Sequence, residues 1–144
     1  MNERVVIIPT YNEKENIEKI IRYVFGLRPR FDILIIEDSS PDGTGAIVRG
    51  LQQEFPALHM IERKGKLGLG TAYITGFKWA LEHGYDYIFE MDADFSHNPD
   101  DLVRLYDACR NGEGDMAIGS RYVTGVNVVN WPMGRVLMSY FASK

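Results

Sequence analysis

The sequence predicts an α/β fold: a mostly parallel sheet with helices on both faces. Three observations predict it. Short β-branched runs alternate with stretches whose apolar residues recur every three or four positions. The connections between successive strands are of helix length, as parallel strands require. Residues capable of chemistry gather where the strands should end and are sparse where they should begin.

Each element follows from its own residues. Residues 4–8 are a β-branched run ended by Pro9 and read as a buried first strand. A helix is expected over 15–27, with Ile17, Ile20, Ile21, Val24 and Leu27 on one face, Asn12 or Asn16 as its cap, and Gly26 near its end. Residues 31–36 form the second strand. The second helix spans 44–55, with Ile47, Val48 and Leu51 inward, Asp42 or Thr44 as cap, and Pro56 as its stop. A short third strand covers 58–61. After a glycine-rich loop at 65–70, residues 71–83 read as a helix with Ala72, Phe77, Ala80 and Leu81 apolar, closed by Gly84. The fourth strand covers 85–91. A helix follows at 99–109, with Pro99 in its first turn and Asn98 as cap. Residues 116–119 read as a fifth strand, and a last apolar helix starts near Met133. That helix meets neither a C-cap glycine nor a turn before Lys144, so a single domain over 1–144, truncated near its end, is expected.

Composition narrows the function. With 144 residues and 45% hydrophobic content the chain can bury one real core. A net charge of -4 gives no support to a nucleic-acid surface. The single cysteine, Cys109, can form no internal disulfide and has no His or Cys partners at metal-ligand spacing. Together with the missing signal-peptide pattern it leads to the expectation of an intracellular location. No run reaches the 18 or so apolar residues of a membrane span.

The chemistry sits at the expected strand ends. Asp92 and Asp94 follow the apolar fourth strand with one residue between them, and would project to one side of an extended backbone. Carboxylates so placed can ligate a hard divalent ion, Mg²⁺ or Mn²⁺, carrying a diphosphate; a solvated turn with capping carboxylates is the alternative. Asp38 ends the second strand and could accept from ribose hydroxyls or a base N–H, or merely stabilise its turn. Glu37 beside it is ambiguous, because one of two adjacent strand-end residues must face away. The loop Gly65-Lys66-Leu67-Gly68-Leu69-Gly70 lacks P-loop spacing, and G-x-G-x-x-G does not follow the first strand, so a dinucleotide oxidoreductase is disfavoured. Arg63 and Lys66 could supply charge to a phosphate or form an exposed basic loop. Arg121 could pair with phosphate oxygens, and Arg135 could face an anionic acceptor. His97 lies near Asp94 in sequence, and Trp131 sits in an expected loop.

These residues together resemble the family 2, GT-A-type (Rossmann-like) glycosyltransferases, and more narrowly the polyprenol-phosphate (dolichol-phosphate) mannosyltransferases. The matching stretches run Ile8 to Glu13, Glu37 to Thr44, Lys66 to Tyr73, Met91 to His97, Gly119 to Tyr122, and Asn130 to Pro132. The resemblance implies inverting transfer of mannose from GDP-mannose to a polyprenyl or dolichyl monophosphate, with Mg²⁺ or Mn²⁺. It implies that Pro9, Tyr11, Glu13 and Asp38 belong to the nucleoside pocket, that Asp92 and Asp94 serve metal and diphosphate, and that Arg121 meets phosphate charge. It also implies peripheral contact with the cytoplasmic face of a membrane and an acceptor groove lying partly beyond Lys144. Two departures stand out: Glu37 replaces a frequent aspartate, and the family's later amphipathic helices are not in this sequence.

Three rivals remain open at this level. A polyprenol-phosphate glucosyltransferase would use UDP-glucose, and spacing alone does not separate guanine from uracil. A sugar-1-phosphate nucleotidyltransferase would want a glycine-rich loop after the first strand, where Pro9-Thr10-Tyr11-Asn12 stands. A nucleotide-binding module without transferase activity is the third.

Overall fold

The computed structural model describes residues 3–111, 116–119 and 126–129. Its elements are β1 (Arg4–Thr10), α1 (Ile17–Phe25), β2 (Asp32–Glu37), α2 (Thr44–Glu54), β3 (Leu58–Glu62), α3 (Leu69–Glu82), β4 (Tyr87–Glu90), α4 (Asp101–Arg110), β5 (Met116–Gly119) and β6 (Val126–Val129). The chain divides into two compact units, one running to Pro99 and the other starting at Asp100.

The first unit holds a four-stranded sheet in the order β3-β2-β1-β4, and every pairing is parallel. Its two central strands have no exposed apolar side chain. Val5 to Ile8 and Ile33 to Ile36 are all fully buried, as expected of strands covered on both faces. Helical crossovers carry β1 to β2 to β3 in one direction, then return the chain across the sheet to β4 on the far side of β1. This puts α1 and α2 on one face, where they touch each other, and α3 on the other, against β1, β2 and β4. The predicted face of α1 is buried through Ile17, Ile20, Ile21 and Val24.

Close approach of α3 to the sheet depends on Gly76. A Cβ there would stand 2.7 Å from Ile7 Cγ2 and 2.8 Å from its Cδ1, and Ile7 is wholly buried. Gly50, on the exposed side of α2, has nothing within 4 Å of the same position.

The second unit contains α4 beside a separate antiparallel pair, β5 with β6, in which Met116 pairs Val129 and Gly119 pairs Val126. The fifth strand is therefore not in the parallel sheet. Its partner β6 was not expected, although Val126, Val128 and Val129 are a β-branched signal. The last expected helix, near Met133, lies outside the described residues.

Boundaries moved by a few residues, for local reasons. The helix α1 starts at Ile17 because the Glu13 carbonyl first closes a turn with the Asn16 and Ile17 N–H groups, and Asn16 stands at the N-cap without a side-chain bond to the helix N–H groups. Gly43, with φ +93, occupies the N-cap of α2, while Asp42 Oδ1 accepts from the Thr44 N–H at 3.0 Å. The helix α3 begins two residues early, behind Gly68; of its four expected apolar residues, Ala72, Phe77 and Ala80 are buried and Leu81 is exposed. Asp100, not Asn98, takes the N-cap position of α4.

Two substitutions separate packing from propensity. Gly76→Val should lower stability by about 1–3 kcal/mol through overpacking against Ile7. Gly50→Ala should raise it by up to about 1 kcal/mol, the helix preference of alanine over glycine. Urea unfolding midpoints of the two variants should move in opposite directions; an unshifted Gly76→Val would contradict the close contact.

Candidate functional site

The carboxyl ends of β1, β2 and β4 border a cleft of about 250 Å³. Pro9, Tyr11 and Glu13 line it from the β1 side, and Asp38 from the end of β2. Lys66 reaches it from the loop before α3, while Asp92 and Asp94 enter after β4. Arg121, with Ser120, Tyr122, Trp131 and Arg135, lies outside the described residues. A larger hollow of about 580 Å³ opens at the opposite end of the sheet among Arg4, Phe25, Asp32 and Phe55. It gathers one carboxylate against the four of the smaller cleft, so the chemistry favours the smaller one.

Pro9 helps to make the opening. The Ile7 carbonyl accepts from Met91 N–H on the β4 side, and the Thr10 carbonyl accepts from Asp38 N–H on the β2 side. Peptide groups alternate sides along a strand, so Pro9 faces β4 just where β4 has ended and no bond is required of it. The strands part there, at the point where the direction of strand order reverses.

A buried carboxylate fixes the loops beside this opening. Glu37 is 2% exposed, and its Oε1 accepts from Thr10 Oγ1 at 3.1 Å and from Ser40 Oγ at 2.6 Å. Ser40 in turn accepts the Asn12 N–H at 2.9 Å, while Thr44 Oγ1 accepts that of Glu13 and Asp42 Oδ2 that of Lys14. The loop after β1 is thus tied to the loop after β2. The Glu37 side chain faces α2, where a Cβ on Gly45 would come within 3.0 Å of Oε2. This settles which of the adjacent pair turns from the cleft.

Asp38 takes the cleft side and is held by Arg63. The guanidinium donates from Nε to Oδ1 at 2.6 Å and from Nη2 to Oδ2 at 2.7 Å, with both side chains buried. Arg63 also donates to Thr71 Oγ1 at 2.9 Å and to the Gly68 carbonyl at 3.3 Å, and its own carbonyl accepts from Ser39. A carboxylate has about four acceptor positions, so Asp38 keeps lone pairs for a ligand. Lys66 does not share in this network; its ammonium stands 4.9 Å from the centroid of the Tyr11 ring.

Neither Asp92 nor Asp94 lies within a strand. The strand stops at Glu90, and Ala93 and Asp94 sit in a turn followed by Phe95 at φ +62. The turn nevertheless brings both to the cleft. Tyr73, fully buried on α3, donates its hydroxyl to Asp92 Oδ1 at 3.2 Å. The Asp92 N–H donates to His97 Nδ1 at 3.3 Å, and His97 Nε2 lies 3.9 Å from Asp92 Oδ2, so His97 adjoins Asp92 as well as standing near Asp94. The hydroxyl and backbone N–H of Ser96 hold Asp94 below the usual carboxylate range.

Glu13 is shifted the other way. Burial raises its pKa first, and the charge of Asp94 second, with Asp42 and Asp92 adding to it against a hydrogen bond from Asn16. Crowded negative charge of this kind suits a divalent cation, and Asp92 and Asp94 are oxygen donors of the right chemistry. Among the described residues no group of three or more His, Cys, Asp or Glu is placed to hold one. An ion on the two aspartates would complete its coordination with ligand oxygens and water.

Three non-glycine residues with positive φ ring the cleft: Asn12 at +56, Ser39 at +53 and Phe95 at +62. Each directly follows an expected site residue, and such conformations cost about 1–3 kcal/mol each. Sequence reasoning did not find them. It also missed the Glu37 hub, the Arg63 clamp and the Tyr73 contact; only the nearness of Arg63 to the glycine loop was a signal.

The chain is similar to known proteins. The model of Glycosyl transferase family 2 matches residues 5–143. The chain is 49% identical over 140 residues to polyprenol monophosphomannose synthase of Mycolicibacterium smegmatis, covering 96% of this chain and 52% of that protein. It is 46% identical over 139 residues to undecaprenyl-phosphate mannosyltransferase of Micrococcus luteus, covering 96% and 56%. The chain thus spans about half the length of these curated relatives. Among solved structures it is similar to the mannosyltransferase PcManGT from Pyrobaculum calidifontis in complex with GDP-Man and Mn²⁺, with TM-score 0.54 and 28% identity over 64% of this chain and 27% of that one.

Glu13→Gln should stabilise the protein at neutral pH. A carboxyl whose pKa is raised on folding favours the fold when protonated, and that contribution is lost as pH rises through the folded value. The melting temperature of the variant should exceed wild type at pH 7, and the gap should close as pH falls below the ordinary glutamate value of about 4.3. A gap that widens toward acid would overturn the sign.

Proposed function

The chain belongs to glycosyl transferase family 2, and from that membership we propose that it carries the donor site of an inverting mannosyltransferase. The donor is GDP-mannose, and the acceptor is a polyprenyl or dolichyl monophosphate. The observation that carries this reading is the convergence of Tyr11, Asp38, Lys66, Asp92 and Asp94 on one cleft at the strand ends. The names of the relatives, two of them lipid-phosphate mannose enzymes and one solved with GDP-Man, support the choice of sugar and base.

Each side chain has a task set by its chemistry. The ring of Tyr11 gives a nucleobase a flat apolar face, with Pro9 below it in the chain. Asp38, oriented by Arg63, accepts from ribose hydroxyls or a base N–H, and Glu13 closes the same nucleoside wall. Asp92 and Asp94 would hold Mg²⁺ or Mn²⁺, whose charge would offset that of the diphosphate as it leaves. Lys66 supplies charge to the same phosphates.

The acceptor phosphate is already an anion at neutral pH, so no strong general base is required. Alignment is required instead, with the phosphate oxygen opposite the leaving diphosphate at the anomeric carbon. Arg121 takes the part of meeting phosphate charge, which lowers repulsion between the two anions. The lipid acceptor implies peripheral contact with the cytoplasmic face of a membrane. Among the described residues no helix is long and apolar enough to cross one.

Thermal unfolding with Mn²⁺ plus GDP, GDP-mannose, UDP or UDP-glucose tests the reading. Guanine nucleotides should stabilise, by about 2.7 kcal/mol at a hundredfold excess over Kd. Asp92→Asn and Asp94→Asn should fold normally and lose most of that metal-dependent gain. Stabilisation by uracil nucleotides alone would move the assignment to UDP-glucose, and no shift with any nucleotide would remove the donor site.

A further inference from the structure

The contact between Lys66 and Tyr11 is placed oddly for a cleft rich in carboxylates. Lys66 shares the cleft with Glu13, Asp38, Asp92 and Asp94, yet forms no ion pair among the described residues. Its ammonium rests over the Tyr11 ring instead, 4.9 Å from the centroid. Tyr11 is 37% exposed, so the lysine covers apolar ring surface that would otherwise be offered to a ligand.

The segment bearing Lys66 is fastened at both ends and free in the middle. Before it, Arg63 is locked into the buried pair with Asp38. After it, the Leu67 and Gly68 carbonyls both accept from Thr71 Oγ1, at 2.8 and 2.9 Å, and Gly68 also accepts from Arg63. Gly68 has φ +99 and ψ 148, a region that only glycine enters readily, and Gly65 has open space around it. Lys66 therefore sits between two glycines, one on each side of the only unfastened stretch.

We propose that Lys66 is a latch: it covers Tyr11 while the cleft is empty, and leaves the ring for the phosphate oxygens when a nucleoside diphosphate binds. The proposal rests on the nucleotide reading of the cleft. A cation over an exposed aromatic ring is held weakly, by an amount equivalent to about two- to fivefold in an equilibrium. A charged hydrogen bond to phosphate is stronger, so the exchange favours a diphosphate. A neutral nucleoside must displace the lysine and receives nothing from it.

The latch makes removal of the lysine act with opposite sign on two ligands. Calorimetric titration of this chain with guanosine and with GDP, both with Mn²⁺ present, should show this for Lys66→Met. Guanosine should bind about two- to fivefold tighter than to wild type, and GDP about tenfold or more weaker. In a Tyr11→Leu background the gain for guanosine should vanish, while the loss for GDP remains. Unchanged or weaker guanosine binding to Lys66→Met would overturn the latch and leave Lys66 as a phosphate contact only. If wild type binds neither ligand, the nucleotide reading fails and the latch with it.

Discussion

The carboxylate of Glu37 is the constraint on which the site depends. A buried charge is costly unless donors surround it, and Thr10 and Ser40 supply them from two different strand ends. Its position beside Gly45 also sets it near the first turn of α2, where the helix dipole favours negative charge. Satisfying this one group decides the course of both loops. Ser40 cannot bond Glu37 and Asn12 at once unless the chain after β1 passes close to the chain after β2. Tyr11 and Asp38 then have little freedom in where they appear.

The cleft itself comes from topology. Strand order reverses at β1, with β2 on one side and β4 on the other, and in such sheets the crevice for a ligand opens beyond the carboxyl ends at that point. Pro9 removes the donor that would otherwise have been stranded at that gap. The buried pair of Asp38 and Arg63 sets the third wall. It joins the end of β2 to the two ends of the glycine-rich loop, through Arg63 and its bond to the Gly68 carbonyl.

The parallel core was legible because burial on both faces leaves a strong mark. Runs such as Ile33 to Ile36 have no other economical explanation, and α1 showed its inward face through isoleucines at helical spacing. The seven cleft residues were legible because parallel strands place their following loops at one end. Of the two-stranded pair, residues 116–119 were legible as a strand, but their antiparallel partner was not, since Val126–Val129 is only four residues long. Leu81 shows that an apolar residue at helical spacing need not be covered. Glu37 and Arg63 were hidden for another reason: their partners lie 27 and 25 positions away, and no local pattern records such distances.

The left-handed backbone at Asn12, Ser39 and Phe95 has an evolutionary consequence. Glycine at any of these positions would relax the chain, so selection scored on heat resistance alone has an easy route through three codons. The same exchange would slacken the rim that presents Tyr11, Asp38 and Asp94. Survival at high temperature and the fixed shape of this rim therefore pull these codons in opposite directions. The residues found there in lineages from hot and cold habitats become a record of which pressure prevailed.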